Sequence, residues 1–167
     1  MQILNDRKIV LDSLENLGIA YEIYEHPPAP TIKEAVKYWG AMKEATHCKN
    51  LFFRNHKGNK HYLVIFEHLH QLAIKDLEQK LKQGKISFAS EKRMAKYLGL
   101  QPGSVSIFGL LNDHDHHVKV FLDKKLQDSK FVSFHPNDNR ASLRISQDGF
   151  RKFLESSGND YEFLELY

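Results

Sequence analysis

The chain has 167 residues, 41% of them hydrophobic and 27% charged, with a net charge of +3. That is one domain's length of chain, 1–167, able to bury roughly 70% of its unfolded surface without a disulfide or a metal staple. A single cysteine, Cys48, excludes an internal disulfide framework and fits a reducing cytoplasm, and no apolar run is long enough to span a membrane. The acid-containing N-terminus does not read as a signal peptide.

In chain order, residues 5–17 read as a helix: Asn5 or Asp6 can cap it, Val10, Leu14 and Leu17 share a face, and Gly18 stops it. Residues 19–25 alternate Ile19, Tyr21 and Ile23 on one side, as a strand does, until His26-Pro27-Pro28 ends it. Thr31 to Glu34 is a capping-box pattern and opens a short helix. Residues 48–66 form a predicted hairpin around the turn HKGN. Ile74, Leu77 and Leu81 place a helix before Gly84, and Ser90 caps the next one, which ends at Gly99. SVSIFGLL and VKVFLD predict a second hairpin over 104–123, and KFVSF with ASLRIS a third pair. Ser146 caps a last helix facing the core with Phe150, Phe153 and Leu154, and YEFLELY closes as a strand. The fold class expected is α+β, a mixed, mostly antiparallel, curved and barrel-like sheet surrounded by helices.

The basic residues cluster. Residues 43–61 hold Lys43, Lys49, Arg54, Lys57 and Lys60 against Glu44 alone. Residues 75–96 hold seven Lys/Arg against Asp76, Glu78 and Glu91, and the tail from Glu155 is purely acidic. Solvated helix faces explain such runs, and so does a face that meets phosphates.

No GxSxG, Walker loop, GxGxxG, HExxH or CxxC is present. Asp113-His114-Asp115-His116-His117 falls in a predicted turn, where these residue types serve conformation, so no metal site is expected. Cys48 reads as a small buried hydrophobe, because its neighbour His47 points to the other face of a strand. Three residues remain with chemistry to offer: Lys49 at the head of KNLFF, Gly103 after Pro102, and His135 before Pro136.

These residues sit in segments that carry a family resemblance. LGIAYEIYEHPPAPTIKEA, CKNLFFRNHKGNKHYLVIF, SFASEKRMAKYLGLQPGSVSIFGLLND and FVSFHPNDNRASLRIS follow one another as in the YbaK-like, prolyl-tRNA-synthetase-associated editing family, in its free-standing form. The resemblance implies hydrolysis of mischarged aminoacyl-tRNA, Ala-tRNA(Pro) first, with cysteine and serine left open as alternative amino acids. It implies no cofactor and no metal. Its partners would be proline tRNA and, in some cases, prolyl-tRNA synthetase, but no membrane.

It implies catalytic roles for Lys49, Gly103 and His135, with Thr31, Asn50, Ser104, Ser106, Ile107 and Asn137 around the substrate. The Thr31–Met42 region would wall the pocket. The family's GxxxP loop falls on Gly103–Ile107, with isoleucine in place of the final proline. That departure leaves a second reading open, a non-hydrolytic module that binds aminoacyl-tRNA or a synthetase. His135 either shapes the amino-acid pocket or acts as a base.

Overall fold

The computed structural model describes residues 2–28, 33 and 36–167. Thr31, Ile32 and Glu34 of the capping-box segment lie outside the described residues. Among the described residues, α1 spans Gln2–Asn16, α2 Ile74–Leu81, α3 Glu91–Leu98 and α4 Gln147–Ser157. The strands are β1 Tyr21–Glu25, β2 Ala45–Asn55, β3 His61–Glu67, β4 Ile86–Phe88, β5 Val118–Asp123, β6 Phe131–Phe134, β7 Ala141–Ser146 and β8 Tyr161–Leu164. No helix among them is long and apolar enough to cross a membrane.

The caps expected at Ser90 and Ser146 form, whereas α1 begins at Gln2, so Asn5 and Asp6 lie within the helix and do not cap it. Ser90 Oγ accepts from the Arg93 amide and Ser146 Oγ from the Gly149 amide, so each hydroxyl satisfies an otherwise unpaired N–H of a first helical turn. Gly99 ends α3 at φ +65°, a left-handed conformation that glycine adopts without a Cβ penalty.

The strands form one mixed sheet in the order β1-β7-β6-β2-β3-β5-β8, with β4 also on β2. The ladders β1–β7, β2–β3, β2–β4 and β6–β7 are antiparallel, and β2–β6, β3–β5 and β5–β8 are parallel. The path is open, ending at β1 and at β8, so the barrel-like element of the expectation stops short of closure. The two sheet faces bury different cores. Val132, Phe134, Leu143, Ile145 and Phe52 join α1, α3 and α4 in the main one. Phe53, Tyr62, Val64, Phe66 and Phe121 meet α2 in the second.

The hairpin expected over 48–66 is β2–β3, with Asn55 Oδ1 accepting the Asn59 and Lys60 amides across its turn. The pair KFVSF/ASLRIS is β6–β7. The hairpin expected over 104–123 does not form. Ile107–Asn112 is a 3-10 segment, and β5 runs parallel between β3 and β8.

Two local causes decide this. Ser106 Oγ caps the 3-10 turn by accepting the Phe108 amide. Gly109 lies so close to α3 that a Cβ there would come within 2.9 Å of Leu100 Cδ1 and 3.1 Å of Leu98 Cβ. A short apolar run is compatible with either structure, and these contacts select the turn.

Candidate active site at the split of β2

β2 changes neighbours along one edge. Ala45–His47 pair with β6, while Phe53–Asn55 pair with β4 on the edge opposite β3. Between these ladders residues 48–52 face no strand on that edge, although Phe52 O accepts the Ala89 amide. The sheet therefore opens beside Lys49 and Asn50.

Two chain segments leave β2 on either side of this opening. One follows β6 into His135–Arg140. The other follows β4 through α3 to a turn at Gln101–Ser104 and then to the 3-10 segment. In that turn the Ser104 amide donates to Gln101 O at 3.1 Å and Gly103 has φ +86°. Proline followed by glycine at positive φ is the chemistry of a type II turn.

The β2–β6 register pairs His47 with Ser133. Continued by two residues, it sets Lys49 level with His135 and on the same sheet face, because side chains alternate with period two. Trp39, stacked on His47 at 3.9 Å, and Met42, whose sulfur accepts from Ser133 Oγ, cover that face just before Lys49. Asn50 points to the opposite face, the side of Cys48 and Phe52. Its Nδ2 donates to Cys48 O, which turns Oδ1 away, and that oxygen is buried without a hydrogen-bond partner.

Asn137 repeats the arrangement. At φ +59° it donates from Nδ2 to Phe108 O at 3.2 Å, and its Oδ1 is also buried and unpartnered. This bond ties the His135 loop to the segment that follows Gly103. Ser104 and Asn137 line a common cavity of about 280 Å³ with Asp6, Leu100, Gln101 and Asp138. A buried acceptor left unpaired costs about 1–3 kcal/mol, so each of these two oxygens suits a ligand N–H or O–H group.

His135 is neutral. Burial lowers its pKa, opposed by the hydrogen bond to Ala141 O, while nearby His26 adds to the lowering. Its Nδ1 donates to the Ala141 carbonyl at 2.8 Å, so the lone pair sits on Nε2 and the ring offers an acceptor there.

The loop is held by charge. Buried Asp138 accepts the Arg140 amide and guanidinium at 2.9–3.2 Å and the Arg7 guanidinium at 3.1 Å from α1. Burial would raise the Asp138 carboxyl, but the Arg140 hydrogen bonds and the charges of Arg7 and Arg140 hold it below its ordinary value. His26 Nε2 meets Ser142 Oγ at 3.0 Å, and its ring lies edge-on to His135.

Other expected residues are placed differently. Ile107 is fully buried in the main core, so its side chain packs and only its backbone is available to a ligand. Ser106 is buried with its hydroxyl committed to the cap. Burial pushes the Cys48 thiol far above its usual range, against a nucleophilic role. Asp113 accepts the His117 and Val118 amides and Asn159 Nδ2, which is turn chemistry, and no three metal-ligating side chains cluster among the described residues. A larger hollow of about 690 Å³ between α1 and residues 110–116 contains none of the expected site residues.

Arg7, His26, Asp138 and Arg140 escaped the sequence reading. The spacing Asp138-x-Arg140 is a visible sign of a local ion pair, whereas Arg7 lies 131 residues from its partner.

Residues 26–153 match the model of the aminoacyl-tRNA editing domain. The chain is 38% identical over 164 residues to a prolyl-tRNA editing protein, ProX, of Acetoanaerobium sticklandii, covering 98% of this chain and 99% of that one. It is 32% identical to the prolyl-tRNA synthetase associated domain-containing protein 1 of Bos taurus, covering 88% and 87%. A crystal structure provisionally named a trans-editing enzyme for prolyl tRNA synthetase superposes with a TM-score of 0.70 at 22% identity, over 95% of this chain and 96% of that one. The chain belongs to the aminoacyl-tRNA editing domain family.

Proposed function

We propose that this protein is a trans-acting aminoacyl-tRNA deacylase that clears mischarged proline tRNA, with Ala-tRNA(Pro) as its substrate, and that the chain works as one editing domain. The observation that carries the reading is the opening beside β2. There the β2–β6 register, continued past its last pair, brings Lys49 level with His135, while Asn50 on the other face of β2 and Asn137 in the loop after β6 each carry a buried, unpartnered amide oxygen. The likeness to the ProX relative supports the choice of substrate class.

An aminoacyl ester is already activated, so catalysis needs water placement and charge stabilisation more than a nucleophile. Water adds to the ester carbonyl carbon, the bond to the ribose oxygen breaks, and the departing hydroxyl takes up a proton. The free amino acid and intact tRNA result. Lys49 supplies a compact cation for the oxyanion or for the terminal phosphate. The Gly103–Ile107 backbone brings N–H groups close to the carbonyl because glycine at φ +86° holds the turn. Asn50 and Asn137 accept from the substrate's ammonium or hydroxyl groups. His135, neutral and fixed by Ala141, forms a rigid wall that excludes the proline ring. Exclusion is the effective device, because one methyl group is worth only about 1–3 kcal/mol of attraction.

The test is a deacylation panel of Ala-, Cys-, Ser- and Pro-charged proline tRNA, run with a chelator. Release of alanine well ahead of proline supports the reading. No release from any of the four overturns it in favour of a binding module.

A further inference from the structure

The cations of this molecule fall into two kinds. Arg7, Arg140, Arg144 and Lys130 are each paired with a carboxylate. Around the tip of the β2–β3 hairpin and along α3, Arg54, Lys57, Lys60, Lys92, Arg93 and Lys96 make no ion pair among the described residues. Lys57, Lys60, Lys92 and Lys96 are exposed. Glu91 is the one acid on α3.

These residues come from both basic stretches, the hairpin set ending at Lys60 and the helix set starting at Lys92, and the fold joins them. Arg93 Nη1 donates to Gly58 O at 2.8 Å and to His61 Nε2 at 3.0 Å, which pins α3 to the hairpin tip. The packing is tight, since a Cβ on Gly58 would come within 2.8 Å of the Arg93 guanidinium. Arg54 lies opposite both His61 and Ser87, and its Nε is buried without a hydrogen-bond partner. On the other face of the same edge strand β4, Phe88 is 56% exposed with its ring stacked on Phe53 at 4.7 Å, so a chain following the cations meets it by passing round that edge.

Like charges held together without counter-charges repel one another, and an anionic partner removes that penalty. The crowding is visible at His61. Burial, His117, Arg93, Arg54 and Lys96 together lower its pKa to about 4.

We infer that this surface is where the RNA docks: Lys57, Lys60, Lys92 and Lys96 meet the phosphate backbone, and Phe88 stacks on an unpaired base near the acceptor end. The inference rests on the proposed tRNA substrate and adds where the tRNA lies. Arg54 and Lys49 are five residues apart on β2, about 17 Å at strand rise. The docking surface thus adjoins the opening along a single strand, within reach of an unpaired acceptor end. Repeating cations beside an exposed aromatic face is the general chemistry of single-strand binding.

The test uses the full chain and uncharged proline tRNA, with Kd measured across a salt series. In the triple variant Lys57→Gln, Lys92→Gln, Lys96→Gln, Kd should rise at least about tenfold and the slope of log Kd against log salt should flatten by about 2–3. The kcat for Ala-tRNA(Pro) at saturation should stay as in the wild type while KM rises. Phe88→Ala should weaken tRNA with its unpaired 3′ end by about tenfold and leave a tRNA lacking that end unaffected.

A wild-type Kd and slope in the triple variant would overturn the docking surface. So would an equal loss in a control carrying Lys124→Gln and Lys152→Gln. Intact tRNA affinity with lost binding to a synthetase would reassign the surface to a protein partner and overturn the RNA proposal. Failure of the editing reading looks different, namely patch-dependent tRNA binding with no ester hydrolysis at all.

Discussion

The His135 loop and the hairpin tip with α3 flank the same central strand and use charge in opposite ways. At the loop, Asp138 is buried between Arg7 and Arg140, and the charges are consumed in fixing Asn137 and His135. At the tip, the cations make no ion pair, and the two that are fixed use neutral acceptors, Arg93 on Gly58 and His61 and Arg54 on the His56 carbonyl. Paired charges hold geometry, and unpaired ones remain available to a partner. Substitutions in the two regions should therefore fail differently, the first in shape and selectivity, the second in affinity alone.

The largest effect is expected at the opening between them. Lys49→Ala should lower single-turnover deacylation by about 100-fold, the scale for removing one group that stabilises an oxyanion. Its unfolding midpoint should stay close to wild type, because removing one half-buried lysine that supports no core contact costs about 0.5 kcal/mol. Wild-type turnover would make Lys49 ordinary surface.

Next comes the loop. Asp138→Ala leaves Arg7 and Arg140 without their shared carboxylate and should cost about 3 kcal/mol in urea unfolding. The carboxyl is held below its ordinary value of 3.8 in the folded state, so its contribution is complete above that value. It is lost as pH falls through the lower folded value. An unchanged urea midpoint would show that the ion pairs contribute nothing.

A smaller, more specific effect is expected at His135. His135→Ala should open the wall and raise the rate on Pro-tRNA(Pro) relative to Ala-tRNA(Pro) by about tenfold. Complete loss of hydrolysis without any gain on proline would make the ring chemical rather than steric.

The smallest effect on rate comes with pH and stability. His47 and His61 are each depressed from 6.5 to about 4, with burial as the main cause. A histidine with a lowered folded pKa favours folding while neutral. Stability should therefore fall as pH drops from 6.5 towards about 4, by up to roughly 1.4 kcal/mol per unit for each ring. A flat urea midpoint over that range would contradict the placement of both rings.

The same contrast explains what the sequence disclosed. Alternation and the HKGN turn made β2 and β3 legible, and Ser90, Gly99 and Ser146 marked helix ends because caps are local chemistry. The 3-10 segment was misread as a strand because its deciding contact, Gly109 against Leu98 and Leu100, is tertiary. β4 has only three residues, too few for periodicity to register. The candidates Lys49, Gly103 and His135 came from the family resemblance rather than from any local pattern. That the β2–β6 register, once continued, brings Lys49 level with His135 was not readable, because this parallel pairing joins segments more than 80 residues apart. Arg7 with Asp138 was hidden for the same reason.

The most direct test of the opening as the active site is an NMR titration with a hydrolysis-resistant alanyl-adenosine amide, following the side-chain amide signals of the asparagines. The Nδ2 resonances of Asn50 and Asn137 should shift together and saturate at one ligand per chain, while signals from Asp12, His114 and His116 around the larger hollow stay in place. Saturable shifts around that hollow with Asn50 and Asn137 unmoved would contradict the assignment.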